Sequence, residues 1–353
     1  MSLILFVGGG TLGHIIPAVA VARGLQRKSP DVSVHFICSP RGEATFLQKE
    51  NLPHTIIDAP RLSWSFLWKF FVAHRTSLQL LRSMKPKVIF SKGGYVSVPV
   101  CFAAKKLGIP IILHESDAVM GRANRLIAKM ATHVCLGFPT QNPQPETRNI
   151  FTGNPLRPEI TQGSRDEGLR ITGFSGTRPI LLIMGGSQGA QAINTWTMKS
   201  LQQLTAMCDV IHLTGVGKSD TQYPILNTQY YFPLPFAYTE LPHLYACASI
   251  AISRAGAGSI AELLGNVIPS ILVPISGLAH DHQHKNAMSL QERKVALLVT
   301  QDDMDKELMN VVSQLIADSE EQQRMKDRIR KMQGVDSTGQ IVDLISKTLV
   351  GKH

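Results

Sequence analysis

Leu3-Ile4-Leu5-Phe6-Val7 runs into Gly8-Gly9-Gly10-Thr11-Leu12-Gly13-His14, and Ile180-Leu181-Leu182-Ile183-Met184 runs into Gly185-Gly186-Ser187-Gln188-Gly189-Ala190. Each stretch reads as a buried strand that enters a glycine loop and then a helical pattern. The repetition predicts two doubly wound α/β halves in one chain.

Around the first opening, short apolar runs recur at 32–38, 88–90, 109–113 and 132–136, separated by helix-length segments. Around the second they recur at 210–213, 250–253, 270–273 and 296–299. This alternation predicts parallel sheets with crossover helices. A stretch rich in Pro, Gly and Asn from 139 to 158 reads as the linker. The expected division is 1–156 and 157–335, with a last helix in 336–353 packing back on the first half. That helix is expected over 340–349, with N-cap chemistry at Asp336-Ser337-Thr338, and a charged helical segment precedes it at 302–332.

The chain has 353 residues, which at about 150 per domain suits two domains. With 44% hydrophobic and 18% charged residues it can fill a large core, which excludes extended disorder. Five cysteines, odd in number and without C-x-x-C, argue against a disulfide framework or zinc knuckle and fit a reducing cytoplasm. The apolar start lacks a basic flank and reads as a strand, not a signal peptide. No apolar run is long enough to span a bilayer. The net charge of +10 calls for an anionic partner: nucleic acid, a membrane surface or a phosphorylated substrate. Nucleic acid fits worst, because the charge is dispersed and leaves the glycine loops unexplained.

The first loop can present bare N–H groups to phosphate oxygens at a helix N-terminus, but it matches neither the dinucleotide nor the Walker spacing. His14 follows it, where a positive dipole end favours the neutral, proton-accepting imidazole. Ser187 and Gln188 add a hydroxyl and an amide to the second loop. Ser253-Arg254-Ala255-Gly256-Ala257-Gly258-Ser259-Ile260-Ala261-Glu262 follows a strand with small residues that let a diphosphate approach, and Glu262 can accept from both ribose hydroxyls. Its plainer alternative is a first-turn carboxylate that stabilises the helix. His280-Asp281-His282-Gln283-His284-Lys285-Asn286 could hold zinc if extended, but with no distant fourth ligand Gln283 and Asn286 favour sugar hydroxyls. Asp303-Met304-Asp305 reads as capping carboxylates, not a metal-nucleotide motif.

These motifs, in order and over nearly the whole chain, resemble the MurG family. They are Gly9-Gly10-Thr11-Leu12-Gly13-His14 with Pro17, Gly93-Gly94-Tyr95-Val96-Ser97 with Pro99, His114-Glu115, Gly153-Asn154-Pro155-Leu156-Arg157, 185–190, 253–262 and 281–286. The resemblance implies a GT-B fold, two Rossmann-like domains facing a cleft. It implies an inverting hexosyltransferase that moves N-acetylglucosamine (GlcNAc) from UDP-GlcNAc to the 4-hydroxyl of MurNAc in undecaprenyl-pyrophosphoryl-MurNAc-pentapeptide, making lipid II from lipid I, with no metal or cofactor. The second domain would bind the donor: Arg157, Ser187 and Gln188 near the diphosphate or sugar, Ala257, Gly258, Ser259, Ile260, Ala261 and Glu262 at diphosphate and ribose, the backbone near Tyr238 at uracil, and Gln283 with Asn286 at the sugar. The first domain would face the acceptor through Thr11, Leu12, Gly13 and His14, with His14 the general base and Glu115 and Asp117 its rivals.

Two departures fall on the acceptor side. Leu12 stands where the family has glycine, and Ser116-Asp117 stands where it has Gln-Asn, replacing an amide by an acceptor-only carboxylate. They keep two alternatives open, a silent UDP-sugar-binding relative and a UDP-sugar epimerase of the same fold. A lipid acceptor also implies a peripheral enzyme on the cytoplasmic face of the inner membrane. Trp64-Ser65-Phe66-Leu67-Trp68-Lys69-Phe70-Phe71, between Arg61 and Arg75, has the aromatic and basic residues for an anionic surface; the alternative is a buried amphipathic helix.

Overall fold

A computed structural model describes residues 2–9, 12–40, 42–58, 66–139, 149–186, 189–217, 229–275, 281–332 and 336–351. The chain forms two compact units, Met1–Leu156 with Val335–His353, and Arg157–Gly334.

The first unit runs β1 (Ser2–Val7), α1 (Leu12–Lys28), β2 (Val32–Cys38), α2 (Gly42–Lys49), β3 (His54–Ile56) and α3 (Phe66–Met84). It continues with β4 (Val88–Ser91), α4 (Ser97–Lys106), β5 (Ile111–Glu115), α5 (Arg122–Ala128), β6 (His133–Leu136) and β7 (Asn149–Phe151). Its sheet has the order β3-β2-β1-β4-β5-β6-β7, and every pairing is parallel. Strand β1 explains the layering, because its alternate residues enter different cores. Ile4 and Phe6 pack on one face with Ile15 and Leu25, and Leu5 and Val7 pack on the other with Ile89 and Ala103. Each such side chain, taken fully out of water, contributes roughly 1.5 to 3 kcal/mol.

The second unit runs β8 (Ile180–Met184), α7 (Gln191–Met207), β9 (Asp209–Leu213), β10 (Tyr231–Leu234), α8 (Leu241–Cys247) and β11 (Ile250–Ser253), with α6 (Arg165–Thr172) ahead of β8. Then come α9 (Ala257–Gly265), β12 (Ser270–Leu272), α10 (His282–Glu292), β13 (Ala296–Leu298), α11 (Met304–Ala317) and α12 (Ser319–Met332). The sheet order is β10-β9-β8-β11-β12-β13, again all parallel. Two doubly wound parallel sheets are what the paired strand–glycine openings predict. In each sheet the strand order reverses beside the first strand, at β1 against β4 and at β8 against β11, and such switch points are where α/β sheets bind ligands.

Helix α13 (Ser337–Leu349) belongs to the first unit. Asp336 Oδ1 accepts from the Gly339 N–H at 2.9 Å, and Thr338 Oγ1 donates to the Leu156 carbonyl at 3.1 Å. Ile341, Val342 and Ile345 enter the core of Ile4 and Phe6. Gly24 of α1 permits this approach, since a Cβ there would lie 3.1 Å from Thr338 Cγ2.

Several expectations need correction. The helix starts at Ser337 instead of 340, because Asp336 is the cap. Strand β7 lies inside the stretch read as linker and pairs with β6. The segment 302–332 is two helices, because Asp318 Oδ1 accepts from the Glu321 N–H at 2.8 Å and starts α12. Asp303 makes no side-chain cap; its N–H donates to Thr300 Oγ1 at 3.2 Å.

Trp64 lies outside the described residues. On α3, Phe70 packs inward, whereas Trp68 is 70% and Phe71 55% exposed, with Val72 also exposed. The helix is therefore not simply a buried amphipathic one. Among the described residues no helix is long and apolar enough to cross a membrane.

Candidate active site

At the first switch point, the loops after β1 and β4 touch through glycines. A Cβ on Gly94 (φ +84°) would lie 2.2 Å from the Gly9 carbonyl oxygen, so a side chain there would part the loops. Thr11 lies outside the described residues, Leu12 begins α1 and Gly13 is exposed. His14 sits in the first turn of α1, and its Nδ1 is 2.9 Å from the Lys92 carbonyl oxygen. A carbonyl only accepts, so Nδ1 carries the hydrogen and Nε2 keeps its lone pair. Burial, reinforced by the charge of Lys92, lowers the His14 pKa below the ordinary imidazole value and favours this neutral base.

Lys92 itself is buried, with Nζ 2.6 Å from both His114 Nδ1 and Ser116 Oγ. His114 Nε2 lies 2.9 Å from the Gly153 carbonyl and must donate to it, which leaves Nδ1 to accept from Lys92. Burial pulls Lys92 down to about 7, against the opposing pull of Glu115 and Asp117. Burial, then the Lys92 charge, holds His114 well below the usual range.

Glu115 is committed elsewhere. Its carboxylate accepts from the Asp117 N–H (2.9 Å), the Gly121 N–H (3.2 Å) and Asn124 Nδ2 (2.8 Å), stapling the turn after β5. Burial and then Asp117 raise its pKa, and these hydrogen bonds resist that rise. This geometry suits holding the loop better than taking a proton. Asp117 is half-buried beside it.

At the second switch point, a Cβ on Gly185 would lie 2.2 Å from the Ala190 N, and one on Gly189 (φ +66°) 2.5 Å from the Thr214 carbonyl oxygen. Gly186 faces Ser259, whose Oγ would be 3.8 Å from a Cβ there, so the loops after β8 and β11 converge. Ser187 and Gln188 lie outside the described residues. Helix α9 starts at Gly256 with no side-chain cap, and Gly256 and Gly258 have open space in front of them. Its first N–H groups and positive dipole end suit an anion. Ile260 and Ala261 are buried, so their side chains serve packing.

Glu262 lies beyond the first turn of α9, which removes its explanation as a helix-end carboxylate. Tyr245 Oη, fully buried, donates to Glu262 Oε2 at 2.8 Å. Burial raises the Glu262 pKa, while the Tyr245 hydrogen bond and the Arg157 charge hold it down. The Arg157 guanidinium lies 4.6 Å from the centre of the Tyr238 ring, a cation–π contact. The Tyr238 N–H donates to Glu240 Oε2 at 3.2 Å.

Of the histidine segment that zinc would need extended, His280 lies outside the described residues and His282 and His284 lie on helix α10. Asp281 (φ +44°) precedes it, and His282 and His284, two apart on a helix, do not share a face. Among the described residues no group of three or more His, Cys, Asp or Glu could hold a metal. Gln283 Oε1 accepts from the Ile275 N–H at 3.2 Å. Asn286 is fully buried and Nδ2 donates to the Ala255 carbonyl at 3.1 Å, so it supports the loop after β11 from behind.

Lys92 and Tyr245 were not among the sequence candidates. A lysine two residues after the apolar run 88–90 was a usable signal, since strand carboxyl ends carry sites. Tyr245 gives none, because an aromatic on a short apolar helix reads as core.

Residues 4–136 match the glycosyltransferase family 28 N-terminal domain, and residues 180–339 match its C-terminal domain. The UDP-N-acetylglucosamine–N-acetylmuramyl-(pentapeptide) pyrophosphoryl-undecaprenol N-acetylglucosamine transferase of Lachnoclostridium phytofermentans is 36% identical, over 98% of this chain and 99% of that one. The chain belongs to the MurG family. The crystal structure of Acinetobacter baumannii MurG has a TM-score of 0.79 at 25% identity, covering 98% of this chain and 100% of that one. A UDP-GlcNAc 2-epimerase from Neisseria meningitidis, bound to UDP-GlcNAc, has a TM-score of 0.67 at 14% identity over 98% and 100% of the two chains, a likeness of fold alone. As a MurG-family member the chain is a hexosyltransferase, with the fold expected of one in both units.

Proposed function

We propose that this glycosyltransferase moves GlcNAc from UDP-GlcNAc to the 4-hydroxyl of MurNAc in undecaprenyl-pyrophosphoryl-MurNAc-pentapeptide, making lipid II from lipid I. The observation that carries the reading on the acceptor side is the hydrogen bond from His14 Nδ1 to the Lys92 carbonyl, which turns a neutral Nε2 into the available base. In a single inverting displacement the 4-hydroxyl oxygen forms the new bond to the anomeric carbon, the bond to UDP breaks, and the hydroxyl proton goes to His14 Nε2.

On the donor side, the uncapped start of α9 and the cation of Arg157 stabilise the departing diphosphate. One Glu262 oxygen is held by Tyr245, which aims the carboxylate for the ribose hydroxyls. Gln283 is the candidate for the sugar, and Tyr238 brackets the uracil end beside Arg157. Asn286, being buried, supports this site without touching the ligand.

The acceptor is lipid-borne, and Trp68, Phe71 and Val72 project from α3 beside Lys69, a pattern suited to an anionic membrane surface on the cytoplasmic side. The test is transfer of labelled GlcNAc from UDP-GlcNAc to a lipid I analogue in anionic vesicles. A disaccharide-lipid product is expected. Nucleotide binding without transfer would sink the reading in favour of a silent module, and epimerised UDP-sugar formed without acceptor would sink it in favour of an epimerase.

A further inference from the structure

We infer that Lys92 is a positioning residue for transfer: its anchored side chain holds its own carbonyl where that carbonyl fixes His14 in the proton-accepting tautomer. The inference rests on His14 being the base.

Lys92 is tied at every polar atom. Its N–H donates to the Val7 carbonyl at 2.8 Å, its carbonyl accepts from His14 Nδ1, and its ammonium donates to His114 Nδ1 and Ser116 Oγ. It thereby joins the end of β1, the start of α1 and the end of β5. The packing is equally close: a Cβ on Gly8 would lie 3.3 Å from Lys92 Cβ and 3.6 Å from His14 Cβ.

The carbonyl needs that anchor because two glycines come directly after it. Gly93 (φ +81°) and Gly94 (φ +84°) have no side chains to restrain them, so the peptide joining Lys92 to Gly93 leads into the most permissive backbone in the loop. The buried ammonium anchors Lys92 on the strand side, and on the loop side the same peptide is held by the Gly93 N–H, which donates to Ser91 Oγ at 3.2 Å. If the carbonyl turned away, no other hydrogen-bond partner among the described residues would decide which ring nitrogen of His14 bears the hydrogen, and the lone pair would be lost from Nε2 in part of the population.

The charge acts in the same direction as the geometry. The groups that face His14 are Lys92, which disfavours imidazolium, and Asp117 and Glu43, which favour it. Those that face Lys92 are Glu115, Asp117, Cys135 and the two imidazoles. Removing the amine leaves the carboxylates unopposed, so the His14 pKa rises and the acid limb of the rate profile moves to higher pH.

The experiment compares wild type with Lys92→Met in the full chain. It measures kcat, KM and the pH profile of GlcNAc transfer, with the ring nitrogens of His14 read by 15N NMR. Lys92→Met is expected to lower kcat by roughly 10- to 100-fold, as for a misplaced reacting group, to leave the KM for UDP-GlcNAc within two-fold, and to shift the acid limb upward. The wild-type ring should show hydrogen on Nδ1, and the variant a mixture. An unchanged kcat and pH profile, or a wild-type ring protonated on Nε2, overturns the inference. Should Lys92→Met not fold, Ser116→Ala removes one ammonium partner and should move the same readouts by less; no movement overturns the inference equally. A wild-type protein that binds UDP-GlcNAc but transfers nothing would defeat the proposed function, while the NMR tautomer would still decide the role of Lys92.

Discussion

The two switch points share a topology and differ in what they bury. Behind β1 and β4 lie an amine, two imidazoles and a carboxyl group, every one of them shifted from its ordinary titration. Behind β8 and β11 the cradle is glycine and bare helix N-terminus, with one carboxylate held by one phenol. The first arrangement suits holding and moving a proton, the second suits gripping an anion. One fold thus supports both tasks, and the difference lies in a handful of side chains at the strand ends.

The comparison is broken most directly by His14→Ala. Loss of a general base should lower kcat by roughly 100- to 10,000-fold, with UDP affinity within two-fold by calorimetry; a surviving rate would remove proton transfer from the first site. Next is Glu262→Ala, expected to weaken UDP binding by about 1.5 to 3 kcal/mol with a charged hydrogen bond lost. If affinity is unchanged, the second site does not grip ribose. Tyr245→Phe should cost less, about 0.5 to 1.5 kcal/mol of UDP affinity, because one neutral donor to Glu262 disappears. Equal losses in the two variants would mean that the phenol does more than aim the carboxylate.

The smallest effect is in pH. The His14 pKa is lowered below 6.5, so the imidazole stays neutral through pH 6.5 and protonates only below it. The acid limb of kcat/KM should therefore have its midpoint below 6.5. The same sign holds for folding: between 6.5 and the lowered value the unfolded chain binds the proton and the folded one does not, so acidification across that window reduces the stability contributed by His14, His114 and His212, the last held down to about 4 by burial. A denaturation series between pH 7 and 4 that showed no loss would contradict these shifts.

The fold was legible where a signal is local. A run such as 180–184 followed by Gly185 announces strand and turn together, and every strand of that type was expected within two residues of where it lies. The strands β3, β7 and β10 were not expected. They are three or four residues long, half-exposed and at sheet edges, so their pairing depends on a neighbour and not on their own pattern. The helix break at Asp318-Ser319 did carry a capping signal that the run of charges concealed. At the site, His14 and Glu262 could be named from their places after glycine loops. The tautomer of His14 and the burial of Asn286 could not, because each is set by a partner far away in sequence, Lys92 and Ala255, and the employment of Glu115 as a staple could not, because it depends on how the turn from Asp117 to Asn124 folds back on the carboxylate.

Helix α13 bears on the order in which the molecule is built. Ile341, Val342 and Ile345 close the core that Ile4 and Phe6 open, yet they leave the ribosome only after the whole of the second unit. The second unit can finish folding as soon as its own residues emerge, while the first must wait with one face of its sheet uncovered until α13 has followed. Nascent chains stalled short of residue 337 should thus carry a protease-resistant second unit and a first unit that chaperones still hold.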